Sequence, residues 1–418
     1  MRIAVIGGGI SGMLSWYLLQ QEHEVTLFEA NDYLGGHTAT IDVEVAGVTY
    51  AIDTGFIVFN NWTYPVFNKF IADLAVEKLD TEMSFSVKNS QQDLEYNGNT
   101  FASLFAQKRN ILRPSFWRML ADIVRFNKLG KQLVAAEHPD LDLKLGEFLR
   151  KYKFGNGMRD NYLLPMGAAI WSAGLTEMPS FPVRFFLRFF NNHGLLNIAD
   201  RPQWAVIKGG SKRYVDALLN KLGTANLRLS QNILSVSRDE QGVTLHFANG
   251  ESEQFDKVIF ACHSDQALAL LGHNATADEQ SVLGAIAYQQ NEVVLHTDTG
   301  LLPKRRAAWA SWNYNLDATE RSRATLTYNM NILQRLDAPV TFCVTLNNTA
   351  AITKEKILGT YQYAHPVYNM MTMAAQQKRS VINGHNHTYF CGAYWYNGFH
   401  EDGARSAVDI AAMFGINY

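Results

Sequence analysis

The sequence predicts an α/β (α+β) fold: a Rossmann-like nucleotide-binding domain and a second, discontinuous domain of mixed sheet with a helical cap. Three observations predict it. A β-rich run, Arg2-Ile3-Ala4-Val5-Ile6, passes through a glycine-rich turn into an uncharged helical stretch. A second short strand, Glu24-Val25-Thr26-Leu27-Phe28, ends on an acid, Glu29. Buried-strand patterns then return near residues 205–285 and 380–418, after intervals of a different character.

The first element reads as a strand of a parallel sheet, short and apolar on both faces. Gly7-Gly8-Gly9-Ile10-Ser11-Gly12 follows, and Met13 to Gln21 reads as a helix. Gly7, Gly9 and Gly12 fit GxGxxG. The first permits a tight turn, the second lets a pyrophosphate approach the backbone, and the third allows close helix–strand packing. Phosphates are expected on the free N–H groups at the positive helix end, around Ile10 and Ser11. Glu29 lies 22 residues after Gly7, close to the spacing of about 20 for a ribose-binding carboxylate. Its charge would repel a 2′-phosphate, which disfavours NADP.

Composition narrows the class. A chain of 418 residues has room for two or three domains of about 150 residues. Hydrophobic residues make up 47%, which excludes disorder. Lys plus Arg (37) nearly balances Asp plus Glu (39), against the basic excess of a nucleic-acid binder. Cys262, Cys343 and Cys391 form no disulfide framework and no CxxC pair, so a reducing compartment is expected. His385 and His387 lack an evident third ligand, and no metal site is expected. Ile3 to Gln21 is uncharged but too rich in Gly and Ser for a signal-peptide core. No run reaches the roughly 18 apolar residues of a membrane span.

Just after Glu29 stands Leu34-Gly35-Gly36-His37-Thr38. With this segment the chain resembles the flavin-containing amine oxidoreductase superfamily, where Leu-Gly-Gly-Arg-x-Thr/Ser packs on the pyrophosphate of FAD. Gly35, Gly36 and Thr38 match; His37 replaces the usual Arg and gives up a bidentate phosphate contact. Ile52-Asp53-Thr54-Gly55-Phe56, running on to Ile57, resembles the segment whose backbone passes the flavin ring. Ile207-Lys208-Gly209-Gly210 resembles the return into the nucleotide domain. Leu229 to Val236 and Gly242 to Phe247 resemble the adenine-side hairpin, with Ile233 meeting the adenine. Lys257 to Cys262, then a helix from Ser264 to Leu271, follow the same order. Tyr389 to Ala393 and Phe399 to Ser406 resemble the final strand, loop and helix. Gly392, Phe399, His400 and Glu401 fall there beside the flavin, and the positive helix end favours its reduced anion.

The likeness runs along nearly the whole chain. It is greatest to a bacterial amine-oxidase-like subgroup read as NAD/FAD-binding, through Phe185 to Leu196, Gly392 to Trp395 and Gly398 to Gly403. Two departures stand out. Ala393 replaces a Glu of many family members, and the strand Asn291 to His296 lacks the Lys found near flavin N5 in amine oxidases. The resemblance implies FAD as cofactor. It also implies a discontinuous FAD-binding domain at 1–75, 205–285 and 380–418, with the substrate domain at 76–204 and 286–379.

Residues 101–201 form a basic, aromatic-rich helical region with 15 Lys/Arg against 8 Asp/Glu. Lys108, Arg109, Arg113, Arg118, Arg184 and Arg188 sit among aromatics there, a pattern suited to an anionic membrane surface or to a solvated cap. Trp309 to Asn329 alternates aromatic and polar residues, as paired antiparallel strands do. His400 is the candidate catalytic residue, since imidazole exchanges protons near neutral pH.

The expected function is an FAD-dependent oxidoreductase removing hydride from a carbon of an apolar substrate, a fatty acyl or lipid-type molecule. The alternatives are a redox-neutral flavin isomerase of an unsaturated acid, an amine oxidase, and, from another class, a non-catalytic flavin-binding regulator. The expected partners are a small hydrophobic substrate and the anionic inner face of the membrane, with no nucleic acid. The expected location is cytoplasmic, peripheral to that face.

Overall fold

In the computed structural model, which describes residues 1–317 and 323–418, the first strand lies at the centre of a parallel sheet. Its five strands run in the order 227–228, Glu24–Phe28, Arg2–Ile6, Lys257–Phe260 and Thr388–Phe390. All four pairings are parallel. Alternation divides the first strand between two cores. Ile3 and Val5 face helices Ile10–Leu19, Lys212–Leu222 and His400–Met413. Ala4 and Ile6 face the antiparallel sheet Ile233–Asp239, Gly242–Phe247 and Ser252–Phe255. Every side chain of the strand after Arg2 is buried, which is why it reads as an unbroken apolar run.

The second sheet has seven strands. Their order is Ile357–Pro366, Tyr288–His296, Cys343–Leu346, Leu326–Asn329, Trp312–Asn315, Phe85–Asn89 and Leu94–Asn97. Among the described residues, only Trp312–Asn315 with Phe85–Asn89 is parallel in this sheet. The alternating stretch from Trp309 to Asn329 supplies two neighbouring strands, with Trp312 opposite Tyr328; its residues 318–322 lie outside the described ones. Two small antiparallel sheets join the halves: Thr40–Val45 with Val48–Asp53, and Trp204–Ile207 between 59–60 and Lys78–Thr81.

Helices Pro114–Ala135, Leu145–Lys151, Leu164–Trp171 and Val183–Asn192 make up most of the cap. Pro114 opens the longest, where its missing N–H costs nothing. Their apolar faces share one core of Phe116, Phe126, Phe148, Trp171 and Phe186. Two of the cap's arginines are not free cations. Arg184 reaches Glu137 at 2.6 Å and Asp142 at 2.8 Å, and Arg188 reaches Glu137 at 2.6 Å. The cysteines are all free, and burial pushes their thiols up to about 12.

Arg238 and Glu279 fasten the hairpin to helix Ala277–Leu283 by a buried ion pair, at 2.6 and 2.9 Å. Arg238 also donates to Thr388 Oγ1 at 3.1 Å and to the carbonyl of Asn274. Removing one partner strands a charge in the interior, at a cost of about 3–5 kcal/mol. Arg238→Met should therefore lower the denaturant midpoint sharply, and Glu279→Leu in the same chain should restore much of it.

Candidate active site

The glycine-rich turn is built by close approaches. Gly7 has φ +112°, and a Cβ there would lie 2.9 Å from the Ala261 carbonyl. A Cβ on Gly12 would meet the Gly7 oxygen at 1.8 Å, so the helix seats against the strand only without one. Gly9 differs: a Cβ there would meet nothing within 4 Å. Gly9 is also the N-cap of helix Ile10–Leu19, which has no side-chain cap and no acid in its first turn. The first N–H groups of a helix have no intrahelical acceptor. The space beside Gly9 therefore faces uncapped donors, including those of Ile10 and Ser11.

A second glycine pair completes this cradle. The Gly35 N–H donates to the Gly8 carbonyl at 2.9 Å, and a Cβ on Gly36 would come within 3.4 Å of Gly9 Cα. Glu29 sits at the strand end with Oε2 accepting the Gly8 N–H at 2.7 Å. Its Oε1 accepts from Asn31 N and Nδ2 at 2.9 and 2.8 Å. The Gln231 N–H donates to the Glu29 carbonyl at 2.9 Å, which brings the start of the hairpin and Ile233 alongside.

The backbone then carries the site toward the second sheet. The His37 carbonyl accepts the Phe56 N–H at 2.7 Å, and Gly55 lacks room for a Cβ, which would lie 2.1 Å from that carbonyl. The His37 ring lies among Tyr363, His365 and His263, with centroids 5.2, 5.4 and 5.9 Å away. Its Nε2 is buried without a partner. Thr38 Oγ1 and Tyr214 Oη are 2.6 Å apart, and Tyr214 Oη is 2.9 Å from His400 Nε2. The His400 ring stacks on Phe56 at 3.7 Å. Ile57 turns away into the core under the second sheet.

The last helix meets the first. Ser11 Oγ donates to the Gly403 carbonyl at 2.9 Å, and the Gly392 N–H donates to Ser406 Oγ at 2.8 Å. Phe399, the N-cap, stacks on Phe189 of the cap at 4.9 Å. The Glu401 carboxylate accepts the Val66 and Phe67 N–H groups, both at 2.9 Å, and so caps helix Pro65–Asp73. Asp402 accepts from Phe399 and Asn397 at 2.9 and 3.2 Å. The structure thus gathers Gly7, Gly9, Ile10, Ser11, Gly35, Gly36, His37, Thr38, Gly55, Phe56 and His400 into one region. Ile57 and the Glu401 side chain are directed elsewhere.

Burial, with His37 as neighbour, holds His400 down at about 3, which favours its neutral imidazole. Burial and the nearby His365 and His263 hold His37 at about 3, and His365 falls to about 4. Burial raises Asp53 to about 6, and Glu401 and Asp402 to about 7. Asp53 accepts from Thr40 Oγ1 at 2.6 Å, Ser211 N at 2.8 Å and Gln334 Nε2 at 3.1 Å.

Sequence reasoning passed over Tyr214, His263, His365 and Tyr363. Their contacts with Thr38, His37 and His400 span distant segments, and no local pattern announces them.

Residues 10–302 match the family of flavin containing amine oxidoreductases. The chain belongs to that family. Over 99% of both chains the fold is similar to a CLA-producing fatty acid isomerase from P. acnes, with TM-score 0.71 and 17% identity. It is similar over 99% of both chains to putrescine oxidase bound to putrescine, with TM-score 0.72 and 13% identity. Cyclohexylamine oxidase from Brevibacterium oxydans IH-35A is similar over 99% of both chains, with TM-score 0.71 and 15% identity. Likeness at such identities establishes the fold alone. No match is found among curated proteins.

The buried groups set a pH dependence. His37, His193, His296, His365 and His400 are all held at about 3 to 4. Between pH about 4 and 6.5 the unfolded chain binds protons at these groups that the folded chain does not, so stability rises with pH there. Asp53, Glu401 and Asp402 work in the opposite sense, since the folded chain keeps their protons up to pH 6 to 7. The five imidazoles outnumber the three carboxyls. Stability of the cofactor-free protein should climb from pH 4 to a maximum near 6.5, read by urea midpoints. Asp402→Asn should steepen that climb.

Proposed function

We propose that the chain is an FAD-dependent oxidoreductase that removes hydride from a carbon of an apolar, acyl-type molecule. In this reading residues 1–75, 205–285 and 380–418 hold the cofactor, and 76–204 and 286–379 hold the substrate. The residues fit the group. The open cradle at Gly9, with uncapped helix donors, suits a pyrophosphate. Glu29 would receive the ribose and Ile233 would border the adenine. The backbone of Gly55 and Phe56, with Gly392 and the N-terminus of helix His400–Met413, would border the ring. Bound there, a flavin supplies the hydride acceptor.

One observation carries the substrate class. Phe185, Trp312, Tyr328 and Phe399 are half-buried members of the same apolar cluster as Tyr368 and Phe189. Phe399 adjoins His400, and the cluster joins the cap, the second sheet and the last helix. Such a wall desolvates and orients an acyl chain. The Trp312 Nε1 and Tyr368 Oη are buried without partners, two donors available to a polar end of the substrate. An amine fits less well. The strand beside the site offers Asn291 and Glu292 but no Lys, and Asn291 is engaged by His365 at 3.1 Å and Asn347 at 2.8 Å.

A redox-neutral isomerase of an unsaturated acid would use the same apolar wall, which favours it as the second reading. The two readings separate cleanly. An oxidoreductase is bleached by unsaturated or saturated fatty acids without oxygen and recovers only with an acceptor. An isomerase turns over anaerobically, with the double bond moved and no acceptor consumed. If neither occurs and a protein partner co-purifies instead, the regulator reading stands.

Purified protein should be yellow and should release FAD on denaturation. Glu29→Gln keeps an acceptor for the Gly8 N–H but loses the charge. A hydrogen bond to a charged group contributes about 1.5–3 kcal/mol, so this variant should lose FAD on dilution or gel filtration while its fold persists. His37→Arg should retain FAD more tightly, since a bidentate guanidinium replaces a neutral imidazole.

A further inference from the structure

The start of the helical cap presents apolar side chains that no part of the core covers. Phe101 is 75% exposed, Leu112 85%, Ile111 48% and Trp117 47%. They form one patch. The Phe105 ring lies 4.8 Å from Phe101 and 5.4 Å from Trp117, and Trp117 Nε1 donates to the Ile111 carbonyl at 2.8 Å. Single exposed apolar residues are ordinary, whereas contiguous ones mark an interaction site. Their exposure is enforced. A capping box at Thr100 sets the helix Phe101–Leu104. Arg113 is tied to the carbonyls of Asp93 and Gln92 at 2.9 and 3.2 Å, which fixes the chain just after Leu112.

Cations surround the patch from two distant parts of the sequence. Lys108, Arg109, Arg113 and Arg118 belong to the same segment. The turn Arg306–Ala308 packs against helix Phe101–Leu104 and brings Lys304, Arg305 and Arg306, all exposed, to its edge. Asp93 pairs with Arg109, and Glu95 pairs with Arg305 at 2.9 Å, so these four charges cancel, and among the described residues no acid pairs with Lys108, Arg113, Arg118, Lys304 or Arg306, which carry the net charge of the rim. The surface is therefore an apolar centre with a cationic rim.

We propose that this surface, formed by residues 101–118 and 304–306, docks on an anionic lipid bilayer. Phe101, Ile111, Leu112 and Trp117 would enter the boundary between headgroups and acyl chains, and the rim would face lipid phosphates. The charge favours this occupant. A protein partner would need an apolar pocket ringed by acids in matching register, whereas a bilayer with anionic lipid offers both everywhere. The proposal does not depend on the substrate of the neighbouring site.

Co-sedimentation of the full chain with vesicles of phosphatidylcholine plus about 30% phosphatidylserine tests it. The expected result is binding that weakens as salt rises and is absent with phosphatidylcholine alone. Lys108→Ser and Arg118→Ser should each lower partitioning about fivefold. Phe101→Ser with Leu112→Ser should abolish it, with thermal midpoint and flavin content unchanged because both residues are exposed. Lack of binding at low salt, equal binding to neutral vesicles, or full binding by the Phe101/Leu112 variant overturns the proposal. So does a dimer in gel filtration that Leu112→Ser dissolves while vesicles stay unbound.

Discussion

Gly403 sits where the first and last helices of the chain touch, and it has no room for a side chain. A Cβ there would lie 2.7 Å from Ile10 Cγ2 and 3.0 Å from Ser11 Oγ. The Ser11 hydroxyl spans the same contact to the Gly403 carbonyl. The N-termini of helices Ile10–Leu19 and His400–Met413 are thereby set side by side, each with donors that its own helix cannot use. The glycine-rich turn, the loop at Gly36 and the stacked pair of Phe56 and His400 all arrange themselves around that junction. A bulkier residue at 403 would separate the helices and pull the cradle apart from the aromatic wall.

Asp53 ties the two sheets to this junction. It is fully buried and accepts from Thr40 and Ser211 near the nucleotide sheet, and from Gln334 beneath the second sheet. Burial raises its affinity for a proton, while the bonds from Thr40 and Ser211 pull it back. Such a carboxyl specifies position more than it stabilises, because every donor must arrive together for the group to be satisfied. The Glu401 carboxylate behaves similarly. It caps helix Pro65–Asp73, so the last helix is oriented by a neighbour as well as by its own packing.

Local pattern made much of this legible. The sequence Arg2 to Gly12 encodes strand, turn and helix because each glycine answers a steric demand within a few residues, as Gly12 against the Gly7 carbonyl shows. Alternation around Trp312 and Tyr328 marks a strand pair for the same reason: the contact is close in sequence and periodic. Tyr214 carried no such signal. Its hydroxyl joins Thr38 to His400 across 176 and 186 residues, and a helix of ordinary amphipathic pattern hides it. Charge was legible only as a count. The excess over 101–201 is real, but Arg184 and Arg188 spend theirs on Glu137 and Asp142. Lys304 to Arg306, outside that interval, join the exposed patch instead.

With His rather than Arg at position 37, the positive potential at the cradle has another origin. A guanidinium would be a fixed charge. Here His37, His365 and His400 are neutral at physiological pH, held so by burial and by one another. The first turn of helix Ile10–Leu19 carries no acid, and the two acids opening helix His400–Met413 accept from backbone N–H groups. What remains is the dipole of two helix ends and their unpaired N–H groups, which do not titrate. An anion at this junction is therefore met by backbone rather than by side-chain charge. That arrangement needs no side-chain cation at position 37, because the donors are supplied by the closure of the chain's two ends.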